Sequence, residues 1–559
     1  MILPASIQRK SSSRPGILLL VTVLLLICLL SCGGTNPGQS SQVPPPLPPP
    51  PPATTSYVDC SAATNGTGSQ SSPWNTLAAV SATTFNPGDE ILFNRGATCN
   101  GILEPLGSGT VSSPIVIDAY GTGPQPIIDG GMNNAAVQLV GQQGWEINNL
   151  EIMGGNKYGV YIIGSAPNTA YTHFRLTNLN VHGAHFVSGG NHDSAEVLIA
   201  IGNAGETMND VVLDGVAVHD SQISDGITVD AGQSYTPSNT LLGNNVTIQN
   251  STVYNIYGLG MTLFAVRNGL MQNNVVHNTG QCPPNPGCGS ATPVGLMDLY
   301  CQTCTMQNNE SYSNQDWSPW DGGDFDIDVW NTNNIVQYNY CHDSIGYCVS
   351  IFTADNVVSS NNIIRYNVCS NNAQLVNSPD PGEIFMNNST DGISGTFDGV
   401  QIYSNTFYWN PATPGPAFDT VLASFSGTNP NFFKNNIIYS TVPYLIQTTS
   451  DFALDNNIYW TVGSTPDWNI DGIDYTTLAS YQSASGQDAH SMNTDPMLNT
   501  PTYHTIGRPA SAFTLLPGSP AFGAGVNVCN GISGCSRGTQ DFWGNQLPSG
   551  TGYNIGAWQ

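Results

Sequence analysis

Met306-Gln307-Asn308-Asn309-Glu310-Ser311, Val336-Gln337-Tyr338-Asn339-Tyr340-Cys341 and Ile364-Arg365-Tyr366-Asn367-Val368-Cys369 are three versions of one six-residue phrase. Working outward, earlier copies begin at Ile147, Leu176, Leu213, Ile248 and Met271, and later ones at Ile402, Phe433 and Leu454. The fourth column reads Leu150, Leu179, Val216, Ser251, Asn274, Asn309, Asn339, Asn367, Asn405, Asn436, Asn457, at spacings from 21 to 38 residues. The first and sixth columns are mostly apolar, the alternation of short strands with one buried face.

A short strand, a polar bend and another strand, repeated at irregular spacing, is the pattern of a solenoid. One coil cannot bury its own inner face, whereas coils stacked about 4.8 Å apart share a continuous core. Insertions leave the cylinder as loops, which accounts for the variable spacing. Asparagines stacked at the bend can hydrogen-bond to one another and to the backbone along the axis.

The chain of 559 residues is 40% hydrophobic but only 9% charged, with 60 glycines and a net charge of −27. That apolar content speaks for a folded, turn-rich, β-rich chain against disorder. The negative charge argues against a nucleic-acid partner, because a polyanion would be repelled.

Arg9, Lys10 and Arg14 precede an apolar stretch from Ile17 to Leu30, too short for a comfortable membrane span. It ends in Leu29-Leu30-Ser31-Cys32, which resembles the lipobox of bacterial lipoproteins. The resemblance implies a signal peptide over 1–31, lipidation of Cys32, and, with Gly33 following, anchoring to the outer membrane. A Gly/Ser/Pro-rich linker over 32–56, with prolines from Pro44 to Pro52, reads as a stiff spacer. Eleven cysteines follow Cys32. In an exported chain their spacing suggests the pairs Cys60–Cys99, Cys282–Cys288, Cys301–Cys304 and Cys529–Cys535. Cys341 and Cys369 share a column, so a disulfide between them is expected to leave Cys348 unpaired.

Phe85-Asn86-Pro87-Gly88-Asp89-Glu90-Ile91-Leu92-Phe93, Ser113-Pro114-Ile115-Val116-Ile117 and Pro126-Ile127-Ile128-Asp129-Gly130 resemble the entry coils of the pectin-lyase-like superfamily. The tail, from Ser519-Pro520-Ala521-Phe522 through Asp541-Phe542-Trp543-Gly544-Asn545 to Asn554-Ile555-Gly556-Ala557-Trp558, resembles the closing segment of members of that superfamily. The resemblance spans roughly residues 57–559. It implies an all-β, single-stranded right-handed parallel β-helix of about eleven coils. An N-terminal cap with entry coils is expected over 57–130, the helix over 131–460 and an irregular C-terminal closing segment over 461–559. It also implies work on carbohydrate, without specifying the reaction.

A second strand set suggests where chemistry sits. Ile227-Thr228-Val229-Asp230, Met261-Thr262-Leu263-Phe264, Met297-Asp298-Leu299-Tyr300, Ile327-Asp328-Val329-Trp330 and Val349-Ser350-Ile351-Phe352 align with their aliphatic residues inward. This alignment places Phe264, Tyr300, Trp330 and Phe352 in an outward column with Asp230, a candidate sugar-binding stripe. Beside it lie Asp298, Asp326 and Asp328, with Glu383 at a similar level. Asp298 and Asp328 are expected about 5 Å apart and Asp326 and Asp328 about 7 Å, separations that suit paired-carboxylate glycoside hydrolysis. Asp324, Asp326 and Asp328 are alternatively a calcium site, since clustered carboxylates suit a hard cation.

His342 joins the candidate catalytic set as an acid–base group. It shares a column with His182, His219 and His277, although its His-Asp-x-x-Gly context also fits a turn-shaping role. Beyond residue 32 there are eight Lys and Arg, none in the outward columns, which counts against a lyase with an arginine base. The leading expectation is a monomeric, cell-surface, polysaccharide-active glycoside hydrolase. The alternatives are a calcium-assisted lyase on an acidic glycan and a non-catalytic carbohydrate binder or adhesin.

Overall fold

The alternation of buried and outward residues along each short strand has a single outcome here: three long parallel sheets wrapped around one core. The structure is a computed structural model. It describes residues 52–185, 194–222, 225–232, 242–281, 293–315, 321–376, 381–388, 394–532 and 535–559. The expected signal peptide, Cys32, nearly all of the expected linker and the expected Cys282–Cys288 pair lie outside the described residues.

Among the described residues the first and second sheets each hold fourteen strands. The third holds thirteen, all parallel except the last pairing, which is antiparallel. Each coil contributes one strand to each sheet in turn, as in a parallel β-helix. The eleven copies of the repeat are eleven successive strands of the first sheet, from Trp145–Asn148 to Phe452–Asp455. Three further strands, Thr55–Val58, Glu90–Asn94 and Ile115–Tyr120, extend that sheet at its N-terminal end. Asp467–Ile470 and Met492–Asn493 carry the third and second sheets into the closing segment.

The first column pairs in register from Ile147 to Leu176 and Leu213, and on to Phe433 and Leu454. All of these side chains are buried. A fully buried aliphatic side chain contributes about 1.5–3 kcal/mol, and stacking repeats that gain coil after coil.

The asparagine column forms the expected ladder. The backbone N–H groups of Asn309, Asn339, Asn367, Asn405 and Asn436 each donate to Oδ1 of the asparagine on the next coil at 2.9 Å. Each Nδ2 reaches back to a carbonyl of the preceding coil, such as Asn339 to Met306 O at 2.9 Å. Each of these amides is therefore hydrogen-bonded within a buried bend.

The residue before each ladder position is left-handed, with φ between 51 and 66° from Asn149 to Asn456. Asn and Gly tolerate that conformation best, which explains Asn149, Asn178, Gly215, Asn250, Asn273 and Asn308 there. Tyr338 and Tyr366 occupy it as well, and both are buried in an aromatic cluster with Tyr403, Phe432 and Val528.

Cys60 is bonded to Cys99 and Cys529 to Cys535. Cys301 and Cys304 are free and buried, not the expected staple. The direct Cys341–Cys369 bridge is also replaced: Cys348 lies between these two sulfurs, within bonding reach of each.

Candidate active site on the third sheet

The side chains of the third sheet are sorted by a register that differs from the sequence alignment. Ile227 pairs with Met261, Met261 with Leu296, Leu296 with Phe325, and Phe325 with Val349. The strand Val294–Leu299 is therefore shifted by one residue from its expected place, and Gly323–Asp328 by two. A one-residue shift exchanges the two faces of a strand. A signal for the true register is present in the sequence, because Gly226, Gly260 and Gly295 stand immediately before the first inward residue. A Cβ on Gly295 would lie 2.3 Å from Ser311 Oγ, so this corner admits no side chain without rearrangement.

The correction turns Asp298 inward. Its strand neighbours are Leu263 and Ile327, and it is buried among the aliphatic residues of the core. Neither carboxylate oxygen has a hydrogen-bond partner, and burial pushes its pKa up to about 8. It does not join Asp326 and Asp328, so its assignment to the outer catalytic patch fails.

Asp324 is buried at the corner between the second and third sheets, where Ser311 Oγ and Ser344 Oγ donate to Oδ1 at 2.8 Å and Asn314 Nδ2 at 2.9 Å. Burial drives its carboxyl up to about 8 despite those hydrogen bonds. Because Asp324 is tied to these buried groups while Asp326 and Asp328 lie on the outer face, the proposed calcium set is not assembled. Glu383 occupies an equivalent corner position two coils later, also buried, with Asn372 Nδ2 donating at 2.9 Å. Burial takes its carboxyl to about 8 as well. It too is removed from the outer patch.

Asp326 and Asp328 remain outward on one strand, flanking inward Ile327. Ser350 Oγ, on the adjacent strand Val349–Phe352, donates to Asp326 Oδ1 at 2.6 Å. Asp326 is buried, whereas Asp328 is partly exposed. Asp230, three coils away in the same column as Asp328, is partly exposed and accepts from Gly232 N at 2.9 Å. Burial, with Asp225 adding like charge, lifts its carboxyl to about 7.

The aromatic stripe is not an open platform. Phe264, Tyr300 and Phe352 are buried, and Trp330 is partly exposed. Phe264 meets Tyr300 edge to face at 5.7 Å, and Tyr300 meets Trp330 at 5.8 Å. Phe352 belongs to a separate cluster with Tyr347 and Phe385. The rings pack against their neighbours, and of the four only Trp330 is partly exposed.

His342 lies on the outer face of the second sheet, not the third. It is buried, with Nδ1 2.8 Å from Asp343 and Nε2 3.3 Å from Glu310. Its ring continues a stack running through His182, His219, Tyr254, His277 and Tyr312 at centroid spacings of 4.7–5.0 Å. Burial depresses its pKa, but the two carboxylates outweigh that and leave it raised. Gly507 N donates to Glu310 at 2.6 Å, so the closing segment reaches this position. The role supported is structural.

Sequence reading missed a polar cluster on the first sheet, where His173 bridges Glu146 at 3.0 Å and Asp210 at 3.1 Å. Arg175 pairs with the same Asp210 at 2.6 Å. These residues sit in consecutive coils, and only pairing brings them together.

No protein-family sequence profile matches the chain, and no curated protein sequence matches it. Solved structures do. A GH136 lacto-N-biosidase from Eubacterium ramulus overlaps with a TM-score of 0.52 at 18% identity, over 73% of this chain and 68% of that one. The two share a fold. XylC in complex with xylose overlaps less well (TM-score 0.45, 9% identity, 80% of this chain and 87% of that one). So does the pectate lyase Pel9A (TM-score 0.36, 14% identity, 90% and 96%). At 18% identity the likeness to the lacto-N-biosidase bears on the fold alone and leaves the reaction to be argued from the site.

Proposed function

We propose that the protein is a polysaccharide-active glycoside hydrolase whose carboxylate pair is Asp326 and Asp328, displayed at a cell surface through lipidated Cys32. The observation that carries this reading is the placement of both acids on the outer face of one strand, two residues apart. That spacing sets them about 6.5–7 Å apart, at the lower edge of the separation used by inverting glycosidases. The hydrogen bond from Ser350 orients Asp326 as an acceptor, as a base requires. In this reading Asp328, partly exposed, serves as the acid toward the leaving-group oxygen.

The described residues count against a lyase with an arginine or lysine base on this face. The outward positions of the third-sheet strands from Asp225–Asp230 to Ile384–Asn387 hold no Lys or Arg among the described residues. Asp326→Asn and Asp328→Asn are each expected to cut reducing-end release by about 10²–10⁴-fold with an unchanged melting temperature. NMR of the first-formed anomer should show inversion. Unsaturated, ultraviolet-absorbing products would replace this reading with a lyase, and glycan binding without turnover would replace it with a binder.

A further inference from the structure

Inside the core, at the end of the third-sheet strand Val294–Leu299, three groups of metal-ligand chemistry converge away from the proposed catalytic face. Asp298 Oδ, Cys301 Sγ and Cys304 Sγ all lie within 4.8 Å of one another, and all three residues are buried. Neither oxygen of Asp298 has a partner, although the carboxyl sits in a column of aliphatic side chains. A buried carboxyl with neither oxygen partnered is costly, so this position calls for a partner.

The surroundings are built for sulfur. Gly269 lies on the preceding coil beside Cys304, and a Cβ there would come within 2.7 Å of Cys304 Sγ. With no side chain in the way, Gly269 N donates to that sulfur at 3.3 Å. The Cys301 and Cys304 thiols donate to the Leu263 and Val266 carbonyl oxygens at 3.2 and 3.4 Å, and once the thiols lose their protons these neutral oxygens are within reach of a shared cation. In the next coil Asn331 and Asn334 accept the N–H groups of Cys301 and Cys304 at 2.7 and 2.9 Å, so the Cys-x-x-Cys backbone is fixed.

We propose that Asp298, Cys301 and Cys304 form a buried site for a thiophilic divalent cation of the zinc type. Tetrahedral zinc, with bonds of about 2.3 Å to sulfur and 2.0–2.2 Å to oxygen, holds its ligand atoms about 3.5–3.8 Å apart. With the atoms within 4.8 Å of one another, the trio needs to contract by no more than about 1.3 Å to reach that spacing. A disulfide between Cys301 and Cys304 would use the sulfurs but leave both Asp298 oxygens stranded, whereas one cation satisfies all three groups. Binding replaces the carboxyl and thiol protons, which pass to solvent, and no redox step is involved. Three protein ligands leave a fourth position for one of the carbonyls or a water. Because the site is enclosed, loading accompanies folding.

The test is metal analysis of the full chain produced with zinc and purified without chelator. About one zinc per chain is expected, falling at least tenfold in Asp298→Asn and in Cys304→Ser. Cobalt loaded in place of zinc should give thiolate charge-transfer absorbance in the wild-type chain, a readout that stands even if a variant fails to fold. A wild-type chain without metal, with Cys301 and Cys304 joined by a disulfide or both alkylated in the native state, overturns the proposal. Metal retained equally in folded Asp298→Asn and Cys304→Ser overturns it too, since the metal would then be held elsewhere in the chain, for instance by reduced Cys341, Cys348 and Cys369.

Discussion

A single carboxyl shows how strongly position along the coil governs chemistry. Asp324 and Asp326 are two residues apart, yet Asp324 is sealed at a corner by Ser311, Asn314 and Ser344 while Asp326 faces outward beside Ser350. Asp324 is held neutral at pH 7 in the folded chain, with its pKa raised from 3.8 to about 8. The folded state therefore binds the proton more tightly than the unfolded state. Its contribution is complete below pH 4 and is lost as pH rises from about 4 through about 8. The melting temperature should fall across that window, and Asp324→Asn should flatten the fall. Glu383 acts in the same direction, so some slope should survive the substitution.

At the level of the element, the ladder at the bend between the first and second sheets makes each coil answerable to its neighbours. Asn367 receives the Asn339 backbone N–H, donates its own N–H to Asn405, and sends Nδ2 to Val336 O. Asn367→Ala removes the acceptor for Asn339 and leaves the Val336 carbonyl without that donor. A cost of about 2–6 kcal/mol is expected, from the roughly 1–3 kcal/mol of each of the two buried groups left unpaired. Urea denaturation followed by tryptophan fluorescence measures it. A loss below about 0.5 kcal/mol would show that water can enter the bend and replace the amide.

For the whole molecule, the closing segment decides which outer faces stay free. Phe513, Leu515, Ala521, Phe542 and Ile555 cover Tyr340, Val368, Ile437 and Ile458 on the second sheet. Val528, Cys529 and Cys535 pack on the tyrosines of the first sheet. Arg365 and Arg508 fasten the segment through Ser536 O and Tyr338 O. Burial and the guanidinium contacts make it part of the fold, so a chain ending at residue 494 should expose a contiguous apolar patch. Dye binding and self-association on size-exclusion chromatography, stronger than in the full chain, are the expected signs. A monodisperse truncated chain would mean that the outer aromatic faces tolerate water.

The solenoid was legible from the sequence because it rests on residues that repeat. Inward aliphatic columns, left-handed Asn positions and the amide ladder each have a local chemical reason that recurs coil by coil. The residues bearing chemistry do not repeat, and their facing depends on register. Aliphatic side chains on both sides of Asp298 and Asp328 allowed more than one alignment, and the glycines at 226, 260 and 295 resolve it only once the crowding at that corner is seen. Burial of Phe264, Tyr300 and Phe352 likewise required the neighbouring coils, since an apolar ring reads the same whether it meets sugar or protein. The sequence by itself determined the architecture, through a short-range pattern stacked many times. Tertiary structure alone decided which acids meet solvent, which are sealed inside, and that Asp298 lies beside two thiols, because period-two alternation turns one residue of slip into a change of face.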